Sequence, residues 1–328
     1  MAVLAATTSD FAQIDVAWWA WVGLFAFIFL LLLVDLLVFH RRAHAVGTKE
    51  AALESAAWIG VGLAFGLVIL ALYGGQATGE YYTGYLIEKS LSIDNVFVWA
   101  IIFSYFAVER RYQHRVLFWG IFGALVMRLI FIFAGVALLD QFSWLLFVFG
   151  AFLIFTGVKL ARNHGAQVNP EHNPVMRFVR RVVPMSSGYD GQKLFTHENM
   201  KRVATPLFAV LVLIETTDVV FAVDSVPAVL AVSREPYIVF ASNAFAILGL
   251  RALYFLLADL HNRFEYLQLG LAVILVYVGV KMIASHWYHL PSALSLVFIA
   301  LVLAVSIMAS LRKSRREDAA RGAGRAGT

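Results

Sequence analysis

Glu88-Lys-Ser-Leu-Ser-Ile-Asp94-Asn-Val-Phe-Val98 places two carboxylates, an ammonium and an amide inside an apolar run, 82–107, that is long enough to cross a bilayer. A hydrocarbon core of roughly 30 Å needs about 20 mostly apolar residues per helix. A second stretch, Glu215-Thr-Thr-Asp218-Val-Val-Phe-Ala-Val-Asp224-Ser-Val-Pro227-Ala228, repeats the situation inside the run 203–231. Working outward from these two, the remaining spans fall at 17–39, 53–75, 116–139, 142–161, 236–258, 265–284 and 290–311. The pattern predicts an all-α polytopic membrane protein of about nine transmembrane helices. Residues 1–311 form the transmembrane domain, and 312–328 a basic cytoplasmic tail expected to be disordered, since its end is Gly/Ala/Arg low complexity.

Composition agrees. Of 328 residues 61% are hydrophobic and only 14% are charged, against about 25% charged in an ordinary soluble domain; the mean hydropathy is +0.78. With so little polar surface, lipid must cover much of the chain. The formal charge of +5 does not point to nucleic acid, because the basic residues sit in a few short loops and the tail. No cysteine is present, which excludes disulfides, thiolate metal sites and dithiol redox chemistry within the chain. No Lys or Arg precedes Arg41, so the first run lacks the basic leader of a cleavable signal and reads as a retained helix.

Basic residues orient the spans. Arg41, Arg42 and Lys49 follow helix 1; Arg110, Arg111 and Arg115 follow helix 3; seven lie in the connection 162–202; Arg263 follows helix 7, and six occupy the tail. The alternate loops hold only Arg234. The positive-inside rule then sets the N-terminus outside and the C-terminus in the cytoplasm. The long 162–202 connection is cytoplasmic on this scheme, and its Val175–Val183 stretch reads either as an interfacial helix against anionic lipid or as a solvated loop.

Three motifs recur in the same order. Ser90-Leu-Ser-Ile-Asp94-Asn-Val resembles Val220-Phe-Ala-Val-Asp224-Ser-Val; Ala124-Leu-Val-Met-Arg128-Leu resembles Ile247-Leu-Gly-Leu-Arg251-Ala; Gly157-Val-Lys159 resembles Gly279-Val-Lys281. Two three-helix repeats follow, helices 3–5 (82–161) and helices 6–8 (203–284). An odd helix count inverts one copy relative to the other. Inverted repeats with a site at their interface characterise secondary transporters, although a duplicated structural unit would leave the same trace.

Each carboxylate at a helix centre costs roughly 2.5–3.5 kcal/mol, and there are five: Glu88, Asp94, Glu215, Asp218 and Asp224. Cations, protons or water must offset a total above about 12 kcal/mol. At 100° per residue Glu88, Ser92 and Asn95 share a face with Asp94 beside them, and Glu215 and Asp218 share another that Ser225 extends. Pro227 cannot donate to the Val223 carbonyl, which predicts a bend or break beside Asp224. Carboxylate, amide, hydroxyl and freed carbonyl oxygens make a hard-cation site. The alternative is a purely structural network in which Arg128, Arg251 and Lys89 pair with these acids; three bases still leave two carboxylates in surplus. Lys159 and Lys281 are expected to snorkel, Asp35 to be solvated near the cytoplasmic end or to line the path, and Asp140 and Asp259 to sit at helix ends. Gly62-xxx-Gly66 reads as a helix-packing motif. No GxSxG, HExxH or Walker A pattern appears, so an enzyme is not expected.

The two acidic segments, with Tyr112-Gln-His-Arg-Val-Leu-Phe-Trp-Gly120 and Asn243-Ala-Phe-Ala-Ile-Leu-Gly-Leu-Arg-Ala-Leu-Tyr-Phe255, closely resemble the signature segments of the TerC/Alx family of integral membrane proteins, nearer its Alx branch. The resemblance implies a lysine-exporter-like fold in the cytoplasmic (inner) membrane of a bacterium and a role in manganese homeostasis, with Mn²⁺ exported as the substrate. It places metal coordination on Asp94, Asp218 and Asp224, with Glu88, Asn95 and Glu215 adjoining. Expected partners are Mn²⁺, protons and lipid, with no nucleic acid and no permanently bound cofactor. Export of another cation, or a scaffold that assists assembly or metal loading of exported proteins, are the rival readings.

Overall fold

The computed structural model describes residues 11–39, 47–142, 144–162, 184, 186, 188–198, 201–257, 265–285, 287 and 292–326. Its helices are α1 (Trp18–Val34, continued by a π-helical turn Asp35–Phe39), a 58-residue helical run Thr48–Tyr105, α4 (Arg110–Gln141), α5 (Leu145–Arg162), α6 (Pro206–Leu230), α7 (Pro236–Leu257), α8 (Glu265–Ala284) and α9 (Ser292–Ala326). Among the described residues six helical elements are long and apolar enough to cross a membrane, with two shorter apolar stretches, Gln268–Ala284 and Leu294–Ser310. The architecture is helical and polytopic.

The 58-residue run is not one rod. Gly74 has φ 83° and ψ −178°, a conformation essentially confined to glycine. Beyond it the chain returns on itself: the Tyr81 hydroxyl donates to the Gly62 carbonyl at 2.8 Å and the Tyr82 hydroxyl to the Leu63 carbonyl at 2.8 Å. In a straight helix residues 19 apart would be about 28 Å distant. The arms, α2 (48–73) and α3 (75–105), are therefore an antiparallel hairpin. Gly62 and Gly66 are the small positions that admit the tyrosines, for a Cβ there would fall 2.7 Å from the Tyr85 ring and 2.3 Å from the Tyr82 ring.

α7 is central, and every residue from Tyr237 to Leu248 is buried. Such a helix is apolar on all sides because it has no face turned to lipid or water. It packs against the α2–α3 hairpin, α4 and α1, while α5 lies along α8. The α5–α8 contact is backbone to backbone: a Cβ on Gly150 would meet the Gly279 carbonyl at 2.8 Å, and one on Gly157 the Ala272 carbonyl at 2.8 Å.

An extended segment ahead of α1 crosses the end of the bundle where α3 begins. The Ala12 N–H donates to Glu80 Oε1 at 2.5 Å, the Ile14 N–H donates to Glu235, and the Arg234 guanidinium lies 5.3 Å from the Phe11 ring centre. Glu80 is wholly buried. At the opposite end a two-stranded antiparallel hairpin, β1 (Phe195–Glu198) and β2 (Lys201–Ala204), follows the long connection. The Tyr189 hydroxyl ties this region to the Phe106 carbonyl at the close of α3. Hydrogen bonds from Thr196 and Lys193 hold the Asp190 carboxyl below the usual carboxylate range.

Among the described residues the end of the 162–202 connection carries the two short strands, and its Val175–Val183 stretch lies outside the described residues. Two expectations are corrected. The tail is helical to Ala326 rather than disordered, as its alanines, arginines and Glu317 favour once a preceding helix supplies the nucleus. Pro227 neither breaks nor ends α6. It sits three residues before Leu230, so it forfeits one bond to Val223 while the next turn closes normally through the Ala231 N–H on the Pro227 carbonyl at 3.0 Å.

Candidate functional site

A cavity of about 80 Å³ lies among α3, α4, α5, α6 and α8. This exceeds the roughly 30 Å³ that one water occupies in the liquid. Its polar wall is Glu88, Asp94, Asn95, Arg128, Thr156, Asp224 and Ser225, and Leu91, Leu160, Phe221 and Leu275 complete it. Both signature segments thus meet here. An offset of 130 carries Leu91 onto Phe221, Asp94 onto Asp224 and Asn95 onto Ser225, so the α3 and α6 walls use the same register positions.

Arg128 from α4 organises the floor. Its Nη1 lies 2.6 Å from Glu88 Oε2 and 2.9 Å from Asn243 Oδ1, and its Nη2 lies 3.6 Å from Asp218 Oδ1. Glu88 and Asp218 are also 130 apart, so one guanidinium bridges two equivalent carboxylates. All three side chains are almost fully buried, where an unpaired charge costs several kcal/mol. The Ser92 hydroxyl donates to Glu88 Oε1 at 3.1 Å, and Asn95 Nδ2 donates to Asp218 Oδ1 at 3.3 Å.

Oxygen atoms remain unused. Asn95 Oδ1, Asp218 Oδ2 and Ser225 Oγ are buried without a hydrogen-bond partner. Asp94 has neither an ion pair nor a hydrogen bond among the described residues, and Asp224 accepts one from the Thr156 hydroxyl at 3.3 Å. An amide oxygen, a hydroxyl and carboxylates suit a hard divalent ion. Among the described residues, however, no three His, Cys, Asp or Glu side chains gather at metal-holding distance. The expected convergence of carboxylates is limited because Arg128 draws Glu88 and Asp218 to itself. Asp94, Asn95, Asp224 and Ser225 are left facing the cavity.

Other residues lie elsewhere than expected. Glu215 is off the cavity wall and rests against α4, where a Cβ on Gly123 would overlap its carboxylate. Arg251 does not join the acids of α3 and α6. It pairs with Asp35, which is buried rather than solvated, because the π-helical turn ending α1 brings that carboxylate to α7. Lys89 donates to the Ala246 carbonyl at 3.1 Å and lies in the field of the neighbouring Glu88. Lys281 does not snorkel; it is buried and donates to the Ser295 hydroxyl at 2.8 Å. Two residues were not anticipated. Thr156 is a lone hydroxyl in an apolar helix and gives no sequence signal, and Glu80 reads as a loop acid because it precedes the run 82–107.

With this geometry in place, likeness to known proteins is informative. The profile of the integral membrane protein TerC family matches residues 73–318, which hold both acidic segments and the whole cavity wall. A Myxococcus xanthus protein named "Uncharacterized membrane protein STKORF319" is 50% identical over 295 residues, covering 90% of this chain and 92% of its own length. An Escherichia coli K12 protein named "Putative membrane-bound redox modulator Alx" is 45% identical over 311 residues, covering 92% and 97%. A Rickettsia bellii membrane protein is 39% identical over 299 residues, covering 91% and 99%. No solved structure gives a significant match. A family profile spanning most of the chain, and relatives this similar from end to end, leave one assignment: the chain belongs to the integral membrane protein TerC family.

Proposed function

We propose that this protein exports Mn²⁺ across the cytoplasmic membrane by alternating access, with protons as the coupling ion. The observation that carries the reading is the cavity itself: buried, unsatisfied oxygens from two equivalent segments face one space that can hold a dehydrated or partly hydrated cation. Mn²⁺ accepts carboxylate, amide and hydroxyl oxygens, and the cysteine-free chain offers no thiolate to favour a softer metal. Support for inverted repeats comes from α5 and α8. An offset of 122 carries Gly150 onto Ala272 and Gly157 onto Gly279, so the contacts Gly150–Gly279 and Gly157–Ala272 exchange with each other. Two antiparallel helices meeting in this way obey a local two-fold relation, as inverted copies would.

Moving a dication outward against an inside-negative potential costs roughly 4.6 kcal/mol per 100 mV. The sequence carries no nucleotide-binding motif, so a proton gradient is the natural source of that work. The name of the Alx relatives points to redox balance. Control of a redox-active cation would connect the two without a thiol in this chain.

The decisive measurement is Mn²⁺ uptake into everted membrane vesicles under an imposed proton gradient. Wild-type protein should accumulate Mn²⁺, and Asp94→Asn or Asp224→Asn should lose at least about tenfold in rate, the loss of one charge-bearing ligand exceeding 1.4 kcal/mol. Uptake that both variants retain would overturn the site assignment. Uptake of Ca²⁺ or Mg²⁺ in preference to Mn²⁺ would overturn the choice of metal.

A further inference from the structure

The α3 and α6 walls match position for position, but the helices behind them do not. Thr156 of α5 enters the cavity beside Asp224. Its counterpart at an offset of 122 is Val278 of α8, an apolar residue that is wholly buried. Asp94 therefore has no matching hydroxyl from α8.

The direction of the Thr156 hydroxyl is itself unusual. A threonine within a helix ordinarily returns its proton to a carbonyl three or four residues earlier. Four others in the helical spans do so: Thr78 on Gly74, Thr83 on Gly79, Thr216 on Val212 and Thr217 on Ile214. Thr156 instead donates across the helix interface to Asp224 Oδ1 at 3.3 Å. The hydroxyl is thus committed to the site rather than to its own backbone.

We propose that Thr156 is a positioning residue for Asp224 and makes the two halves of the cation cavity chemically unequal. The inference rests on the cation reading of the cavity given above. A carboxylate with one oxygen already engaged is held in a fixed orientation, so it offers the cation a preformed ligand. The hydroxyl that donates still has lone pairs to accept. Asp94, without such a tether, can rotate to follow the ion. Preorganisation of the Asp224 arm lowers the ordering cost of binding, so its loss should appear in affinity.

The test uses the full-length protein in lipid nanodiscs, with bound Mn²⁺ read from the loss of its free-ion electron paramagnetic resonance signal. Thr156→Val should weaken Mn²⁺ binding by about tenfold or more, the loss of one hydrogen bond to a charged group. Thr156→Ser should restore affinity to within about twofold, well inside that loss. In an Asp224→Ala background, which removes the acceptor, the Val substitution should add less than about twofold, because its effect runs through that side chain. Wild-type-like affinity in Thr156→Val, or an equal loss in the Ala background, would overturn the role of Thr156 alone. No saturable Mn²⁺ binding by the wild type would overturn the cation reading beneath it as well.

Discussion

Arg128 shows how single residues decide the electrostatics of this core. One guanidinium faces Glu88, Asp218 and the Asn243 amide oxygen at once, using the fork geometry that an ammonium lacks. Arg128→Leu should lower stability by about 3–5 kcal/mol, because it strands buried carboxylates rather than merely deleting a contact. Thermal unfolding in detergent would measure it. Arg128→Lys should recover only part of that loss, since one ammonium cannot reproduce both arms. A full recovery would show that charge alone, and not the fork, holds the two segments together. The participants were legible at this scale, because acids and arginines inside apolar runs are costly enough to stand out. Their pairing was not. Arg128 and Arg251 occupy equivalent positions in the sequence, yet one serves the cavity and the other serves Asp35. What separates them is the approach of α1, a helix outside the recurring motifs, which no local pattern reveals. Thr156 stayed hidden for a related reason: a hydroxyl in a span costs little when it bonds its own backbone, so its type carries no warning.

At the scale of elements, helix length and apolarity were read easily, and the irregular points were not. Gly74 is where this matters most. The hairpin of α2 and α3 turns on a backbone conformation that L side chains avoid, although a Cβ there would touch nothing within 4 Å. The cost of a substitution is thus conformational rather than steric. Gly74→Ala should destabilise by about 1–3 kcal/mol, and Gly75→Ala, one residue on and also in open space, should be nearly silent. Equal melting temperatures for the two variants would contradict the turn. Pro227 is the opposite case. Sequence reasoning gave it a bend or a break, but a proline in the last turn of α6 removes a single bond and leaves the helix continuous. The polar wall of the cavity is accordingly built from side chains on unbroken helices. The β-hairpin escaped notice because strands of four residues are too short for a periodic signal.

For the whole molecule, the arrangement of charge and the packing of α5 on α8 bear on the same question, which way each half faces. On the positive-inside reading the basic loops would set the connection before α6 in the cytoplasm and the Gly74 turn outside, and an inverted pair of three-helix units would require that α3 and α6 enter from opposite sides. These two demands are independent, since one depends on lysine and arginine counts and the other on glycine contacts within the bilayer. Both can be tested on one background because the chain has no native cysteine. Gly75→Cys puts a thiol just beyond the turn, where a side chain meets nothing within 4 Å. Lys193→Cys puts one beside the β-hairpin, at a side chain 65% exposed. In intact cells a membrane-impermeant maleimide should label the first and spare the second; in everted vesicles the order should reverse. Labelling of both from one side would place α3 and α6 in the same orientation, which two antiparallel copies cannot have, and alternating access between them would lose its structural basis.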